Sequence, residues 1–229
     1  MSFADQQDPM TTQKPGDVAR EGISHPAVRR VVLDTSLFVN PDVRLSLGRT
    51  PSESFETFLF LAGQIHTLEF YMPPSIFREL LNFVDKEKIP GELLVVLHQK
   101  PPKRYDLKCP ATLLYDFVEE MRDRVNKGLR IAEGAVRSGE KKKTDEIIQD
   151  LRRKYRDALR EGIIDSKEDV DLLLLALELD ATLITADQGV ITWAGKLGIP
   201  WLFPEKFKDY LMGAIRRTEA LSAGEGDRA

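Results

Sequence analysis

A chain of 229 residues with 42% hydrophobic and 31% charged side chains can build a substantial core, which excludes wholesale disorder. No apolar run approaches the roughly 20 residues that cross a bilayer, residues 1–17 lack the apolar centre of a secretory signal, and the lone Cys109 excludes an intrachain disulfide framework. The expectation is a cytoplasmic protein with no membrane partner, and its net charge of −4 is uneven: residues 119–160 carry 13 Lys and Arg against 9 Asp and Glu, a basic stretch on an acidic remainder.

In chain order, residues 1–27 are rich in Gln, Asp, Thr, Pro and Gly and read as a flexible tail. Residues 28–33 form a buried strand that ends in Asp34-Thr35-Ser36. Thr50-Pro51-Ser52-Glu53 opens a helix, with Thr50 as cap, Pro51 in the first helical position and Glu53 closing a capping box. A second strand spans 68–72, and Pro73-Pro74-Ser75 starts a helix that runs through Val84. The continuous apolar run 93–97 reads as a third strand. Past the loop marked by Pro101, Pro102 and Pro110, residues 111–134 and 140–161 have helical spacing with a break at 136–139, which predicts a two-helix hairpin. Its neighbouring aromatics, Tyr105, Tyr115 and Tyr155, are expected to pack rather than to stack on bases. Helix 169–180, strand 182–185, helix 188–197, a short strand 199–202 and a last helix 205–221 follow. Strands alternating with helices predict a parallel sheet covered on both faces.

Five aspartates stand where such a fold gathers ligands. Asp34 and Asp187 each end an apolar run, and open α/β sheets bind ligands beyond the carboxyl ends of their strands. Asp165, Asp169 and Asp171 lie at the entry to an apolar helix, with Ser166 as the expected cap. Asp165 and Asp169 are four apart and Asp171 follows two later, so the three cannot share one face of a regular helix. A carboxylate cluster repels itself unless cations join it. Hard oxygen donors without His or Cys favour Mg²⁺, with Mn²⁺ as a possible substitute, over zinc, and the chemistry that follows is metal-assisted phosphodiester hydrolysis.

Three segments, Val32-Leu33-Asp34-Thr35-Ser36, Pro74-Ser75-Ile76-Phe77-Arg78-Glu79-Leu80 and Leu183-Ile184-Thr185-Ala186-Asp187, resemble the PIN-domain nucleases. The order Asp165-x-x-x-Asp169-x-Asp171 after a long helical insertion resembles, more closely, the minimal RNA-free ribonuclease P family of bacteria and archaea. The resemblance spans about residues 28–217. It implies a PIN-like three-layer α/β/α domain over 28–217 with a central parallel sheet, interrupted by a helical insertion at 103–162, and a C-terminal tail at 218–229. It also implies Mg²⁺-dependent endonucleolytic removal of the 5′ leader from precursor tRNA, leaving a 5′ phosphate, with no obligatory RNA subunit. Asp34, Asp165, Asp169 and Asp187 match the family's catalytic aspartates, Asp171 adjoins them as a further metal-site acid, and Glu79 matches an acid common in PIN domains. A homo-oligomer built from dimers, a dodecamer by family resemblance, is implied as well, with the insertion serving assembly and RNA contact.

The basic positions expected to meet RNA are Arg122, Arg124, Lys127, Arg130, Arg137, Lys141, Lys142, Lys143, Arg152, Arg153 and Arg156. Leu129, Ile147, Ile148 and Leu151 are expected to pack against another subunit as well as within the hairpin. Two other readings stay open at this point: a toxin-like PIN endoribonuclease, and a non-catalytic RNA-binding partner of an RNA-processing enzyme.

Overall fold

A computed structural model of the chain describes residues 28–89, 91–137, 144–160, 164 and 166–226. Five parallel strands, β1 (Arg29–Leu33), β2 (Leu68–Met72), β3 (Leu97–Gln99), β4 (Thr182–Ile184) and β5 (Trp201–Leu202), lie in the order β3-β2-β1-β4-β5. β1 pairs with β2 through Val31 opposite Phe70, and with β4 through Val32 opposite Leu183. The chain therefore builds outward from β1 in one direction and later returns to build in the other, which makes the β1–β4 boundary the switch point of the sheet.

The helices cover both faces. On one, α3 (Pro51–Ala62) and α9 (Phe207–Gly226) meet over β2, where Phe58, Phe70 and Phe207 make contacts of 5.2–6.4 Å between ring centres. On the other, Arg30 reaches the Leu179 carbonyl at the end of α7 (Lys167–Leu179), which packs on α8 (Gln188–Leu197). Capping fixes where these helices start. Thr50 Oγ1 accepts the Glu53 N–H and Ser166 Oγ accepts the Asp169 N–H, so both expected caps form. Glu53 reaches back to the Arg49 N–H, one residue earlier than a standard capping box.

The middle of the chain leaves the sheet after β3. α5 (Thr112–Arg137) and α6 (Thr144–Arg160) pack side by side as an antiparallel arm. At their crossing the Tyr155 ring lies against Gly128, where a Cβ would approach it to 2.6 Å. Lys196 of α8 pins the base of the arm, bonding Glu120 at 2.8 Å and Asp116 at 3.4 Å.

The structure differs from the sequence expectation at several elements. The apolar run 93–97 is mostly a 3-10 segment, Gly91–Val96, and β3 only begins at Leu97, because a short apolar run carries no period to tell strand from helix. Two four-residue helices, α1 (Ser36–Val39) and α2 (Pro41–Arg44), fill what reads as loop. The last helix continues through Gly226 and so includes residues 218–226 assigned to a tail; a 3-10 turn, Pro204–Lys206, precedes it, and α4 (Pro74–Leu80) stops before the expected Val84. Residues 1–27 and 227–229 lie outside the described residues.

Candidate active site

Asp34 is the first residue beyond β1, and its N–H donates to the Ile184 carbonyl of β4 at 3.1 Å, so its carboxylate stands at the switch point. It is only 7% exposed. Two hydroxyls hold it: Ser36 Oγ donates to Asp34 Oδ2 at 2.5 Å and Thr185 Oγ1 donates to the same oxygen at 2.6 Å. Each hydroxyl also accepts a backbone N–H from the loop after β4, Ser36 from Ala186 at 2.9 Å and Thr185 from Asp187 at 3.0 Å. The network thus ties the Asp34 carboxylate to the loop that carries Asp187. Ser36 and Thr185 sit inside the quoted motifs, but sequence alone assigns them no role; their signal is a hydroxyl placed two residues from each strand-end acid.

Asp187 caps α8, its Oδ1 accepting the Val190 N–H at 2.9 Å, and it is exposed. A cap and an ion ligand are compatible roles, since the cap engages one of two carboxylate oxygens. Burial pushes the Asp34 carboxyl above its ordinary range; the Ser36 and Thr185 hydroxyls oppose this, and the Asp187 charge adds to it. Glu79 on α4 is likewise raised, first by burial and then by the charges of Asp34 and Glu168. Asp34, Asp187, Glu79 and Glu168 therefore share one field of negative charge. Among the described residues no Lys or Arg forms an ion pair with any of the four. That excess of hard oxygen donors fits a divalent cation.

Among the described residues alone, no three acids close around an ion, and Asp165 lies outside them. Asp169 is in the first turn of α7, half-buried. Asp171, expected at the metal site, is engaged by protein donors. It is buried, and Arg104 holds it through Nε to Oδ1 at 3.0 Å and through Nη2 to both oxygens at 2.7 and 2.6 Å, while Ser75 Oγ donates to Oδ2 at 2.9 Å. Two residues along a helix turn the side chain by about 200°. Asp171 therefore faces α4 and the loop 101–106 with both oxygens taken by protein donors.

On the arm, Arg122, Lys127, Arg130, Arg137, Arg152, Arg153 and Arg156 are exposed. Arg153 pairs with Asp150 at 2.6 Å, and Arg156 Nε donates to the Arg152 carbonyl at 3.3 Å. Arg124 differs from the rest: it is half-buried, with Nε and Nη2 enclosed. Lys141, Lys142 and Lys143 lie outside the described residues. Of the aromatics expected to pack, Tyr155 does so against Gly128, whereas Tyr105 and Tyr115 are largely exposed. No helix among the described residues is long and apolar enough to cross a membrane.

Comparison with known proteins agrees with this geometry. Residues 30–216 match the model of the PINc domain ribonuclease family. The RNA-free ribonuclease P of Thermodesulfovibrio yellowstonii is 57% identical over 187 residues, covering 82% of this chain and 95% of the relative. That of Thermococcus kodakarensis is 49% identical, covering 83% and 98%, and that of Halorhodospira halophila is 41% identical, covering 82% and 90%. With its five-stranded parallel sheet and an acid cluster at the switch point, the chain belongs to the RNA-free ribonuclease P family of PIN-domain ribonucleases.

Proposed function

We propose that this chain is a protein-only ribonuclease P, an endoribonuclease that removes the 5′ leader of precursor tRNA and leaves a 5′ phosphate on the mature RNA, with no RNA subunit. The observation that carries the reading is Asp34, a nearly buried carboxylate at the sheet's switch point, held by two hydroxyls and left without a cationic partner among the described residues. The toxin-like and non-catalytic readings have no such support, since relatives named RNA-free ribonuclease P match most of the chain at 38–57% identity.

The residues that would hold Mg²⁺ are Asp34, Asp165, Asp169 and Asp187, with Glu79 and Glu168 near enough to add to the field. When bound, the cation would offset the charge of the scissile phosphate and lower the pKa of water at the site. Ser36 and Thr185 keep the Asp34 carboxylate in one orientation, and the α8 cap does the same for Asp187. The metal assignment excludes Asp171, whose two oxygens are already engaged.

The arm is the RNA-contacting element in this reading. Its exposed Arg122, Arg130, Arg137, Arg152 and Arg156 suit phosphate contacts to a folded RNA recognised by shape. The same arm is the assembly surface. Leu114, Val118, Met121, Val125 and Leu129 recur at helical spacing along α5 and are all exposed, an apolar stripe that suits a second copy in a homo-oligomer built from dimers, a dodecamer by resemblance. Its place of action is the cytoplasm, where precursor tRNA is matured.

Incubation of the purified protein with 5′-labelled precursor tRNA, with and without Mg²⁺, tests the reading. Leader release at the mature 5′ end is expected with Mg²⁺, and none after chelation. Asp34→Ala and Asp187→Ala are each expected to lower the rate at least about 100-fold with the fold intact by circular dichroism. Cleavage retained by the double variant would sink the assigned site.

A further inference from the structure

A hollow of about 330 Å³ opens between α4, the loop 101–106 and α7, with Arg78, Lys103, Arg104, Tyr105, Asp106 and Asp171 in its lining. It shares its walls with the acid cluster. α4 presents Arg78 to the hollow and the adjacent Glu79 to the acids; α7 presents Asp171 to the hollow, and Glu168, one helical turn earlier, to the acids. The charge of Glu168 acts on both Glu79 and Arg104, which ties the two regions together.

The loop that forms the outer wall is anchored on both sides of the hollow. Lys100 Nζ bonds Glu178 Oε1 at 2.5 Å, the Lys103 N–H donates to Glu178 Oε2 at 2.7 Å, and Arg104 grips Asp171. Tyr105 follows directly, yet it is 99% exposed. A large ring on so firmly held a loop contributes nothing to the core. Beside it, Arg78 uses Nε on the Pro74 carbonyl at 3.2 Å and pairs with no carboxylate among the described residues. Lys103 Nζ is 4.0 Å from Glu178 and two-thirds exposed. Arg104 and Asp171 neutralise each other, and Asp106 offsets one of the remaining cations, so the lining suits a single phosphate rather than a run of them.

We infer that this hollow is a subsite for one unpaired nucleotide next to the scissile bond, its base stacked on Tyr105 and its phosphate held by Arg78 and Lys103. The inference rests on the ribonuclease reading above. The volume is at the lower end of the about 300–1,000 Å³ that small ligands occupy, room for a nucleotide but not for a base pair. Stacking on an aromatic ring tolerates any base, as an enzyme acting on many precursors requires. In a precursor tRNA, unpaired nucleotides adjoin the cut from two sources, the 5′ leader and the unpaired 3′ end of the acceptor stem.

The experiment measures kcat and KM for the full-length wild type, Tyr105→Ala, Tyr105→Trp and Arg78→Ala on three precursors: unmodified, with an abasic leader, and with an abasic 3′ end. On the unmodified precursor Tyr105→Ala is expected to lose about tenfold in kcat/KM, chiefly through KM, while Tyr105→Trp keeps activity. Arg78→Ala is expected to weaken all three substrates alike, since an abasic site keeps its phosphate. On the abasic precursor that lacks the stacked base, wild type and Tyr105→Ala become equal, and which precursor that is names the source. Wild type that cleaves none of them would overturn the ribonuclease reading, and the subsite with it. Wild-type cleavage with Tyr105→Ala unchanged, or equally impaired on all three, would overturn the subsite alone.

Discussion

Asp34 lies almost out of water beside another acid, so its charge works against the fold. Burial raises its pKa, which means the folded state retains the proton to higher pH than the unfolded state does. The sign follows: in metal-free buffer, stability falls as pH rises from the unfolded value through the raised folded one, and stays lower above it. Asp34→Asn removes that loss while its side-chain oxygen still accepts from Ser36 and Thr185. The variant is expected to melt higher than wild type at neutral pH without metal, by roughly 2–4 °C for each kcal/mol relieved, and to be inactive. Mg²⁺ is expected to raise the wild-type melting temperature and to leave that of Asp34→Asn nearly unchanged, as thermal denaturation monitored by circular dichroism will report. Asp171 shows the opposite case, a buried carboxylate that is fully partnered. Arg104→Ala is expected to lower stability in urea denaturation, because it leaves the buried Asp171 carboxylate without its cation, although water replaces part of the role of the exposed guanidinium. The strand-end positions of Asp34 and Asp187 are legible because an apolar run stopped by an acid is a local signal. The partner of Asp171 is not, since Arg104 is 67 residues away, and nor is the Thr185 bond to Asp34 across 151 residues.

At the scale of elements, α7 does two jobs: its first turn serves the acid cluster and its last turn anchors the loop after β3 through Glu178. Burial pushes Glu178 up, but the hydrogen bond from Lys100, that from the Lys103 N–H and the two lysine charges outweigh it, so its pKa lies below the ordinary carboxylate value. A depressed acid pKa stabilises the fold above the unfolded value, and that stability is lost as pH falls through the folded one. Part of the acid denaturation below about pH 4.5 therefore belongs to Glu178. Glu178→Gln is expected to be less stable than wild type at pH 7 and to lose less between pH 5 and 3, in urea titrations across that range. The arm rests on a different contact. Gly128→Ala gains up to about 1 kcal/mol of helix propensity but drives a methyl into the Tyr155 ring, so the single variant is expected to loosen the α5–α6 pair and the double variant with Tyr155→Ala to recover the propensity gain. Amide exchange on α6 reads the difference. Long periodic segments such as α5 and α6 declare themselves in sequence, whereas Gly91–Val96 and the four-residue α1 and α2 are too short to show a period and are set by packing.

For the whole molecule, the apolar stripe of α5 is left largely exposed by the other described residues. Val118→Glu with Val125→Glu is expected to shift the protein to smaller assemblies in light scattering coupled to size exclusion, with monomer melting unchanged because neither residue is in the core. The layout of the sheet carries a broader consequence. β1, β2, β3 and α5 come from the first part of the chain, and α6, α7, β4 and β5 from the second, while the β1–β4 seam joins the parts directly beneath the acids. Catalysis on this plan needs the two parts adjacent, not continuous. Two polypeptides divided between α5 and α6 and expressed together are expected to rebuild the seam from their own edges, one bringing Asp34 and the other Asp187, and to cleave RNA only together.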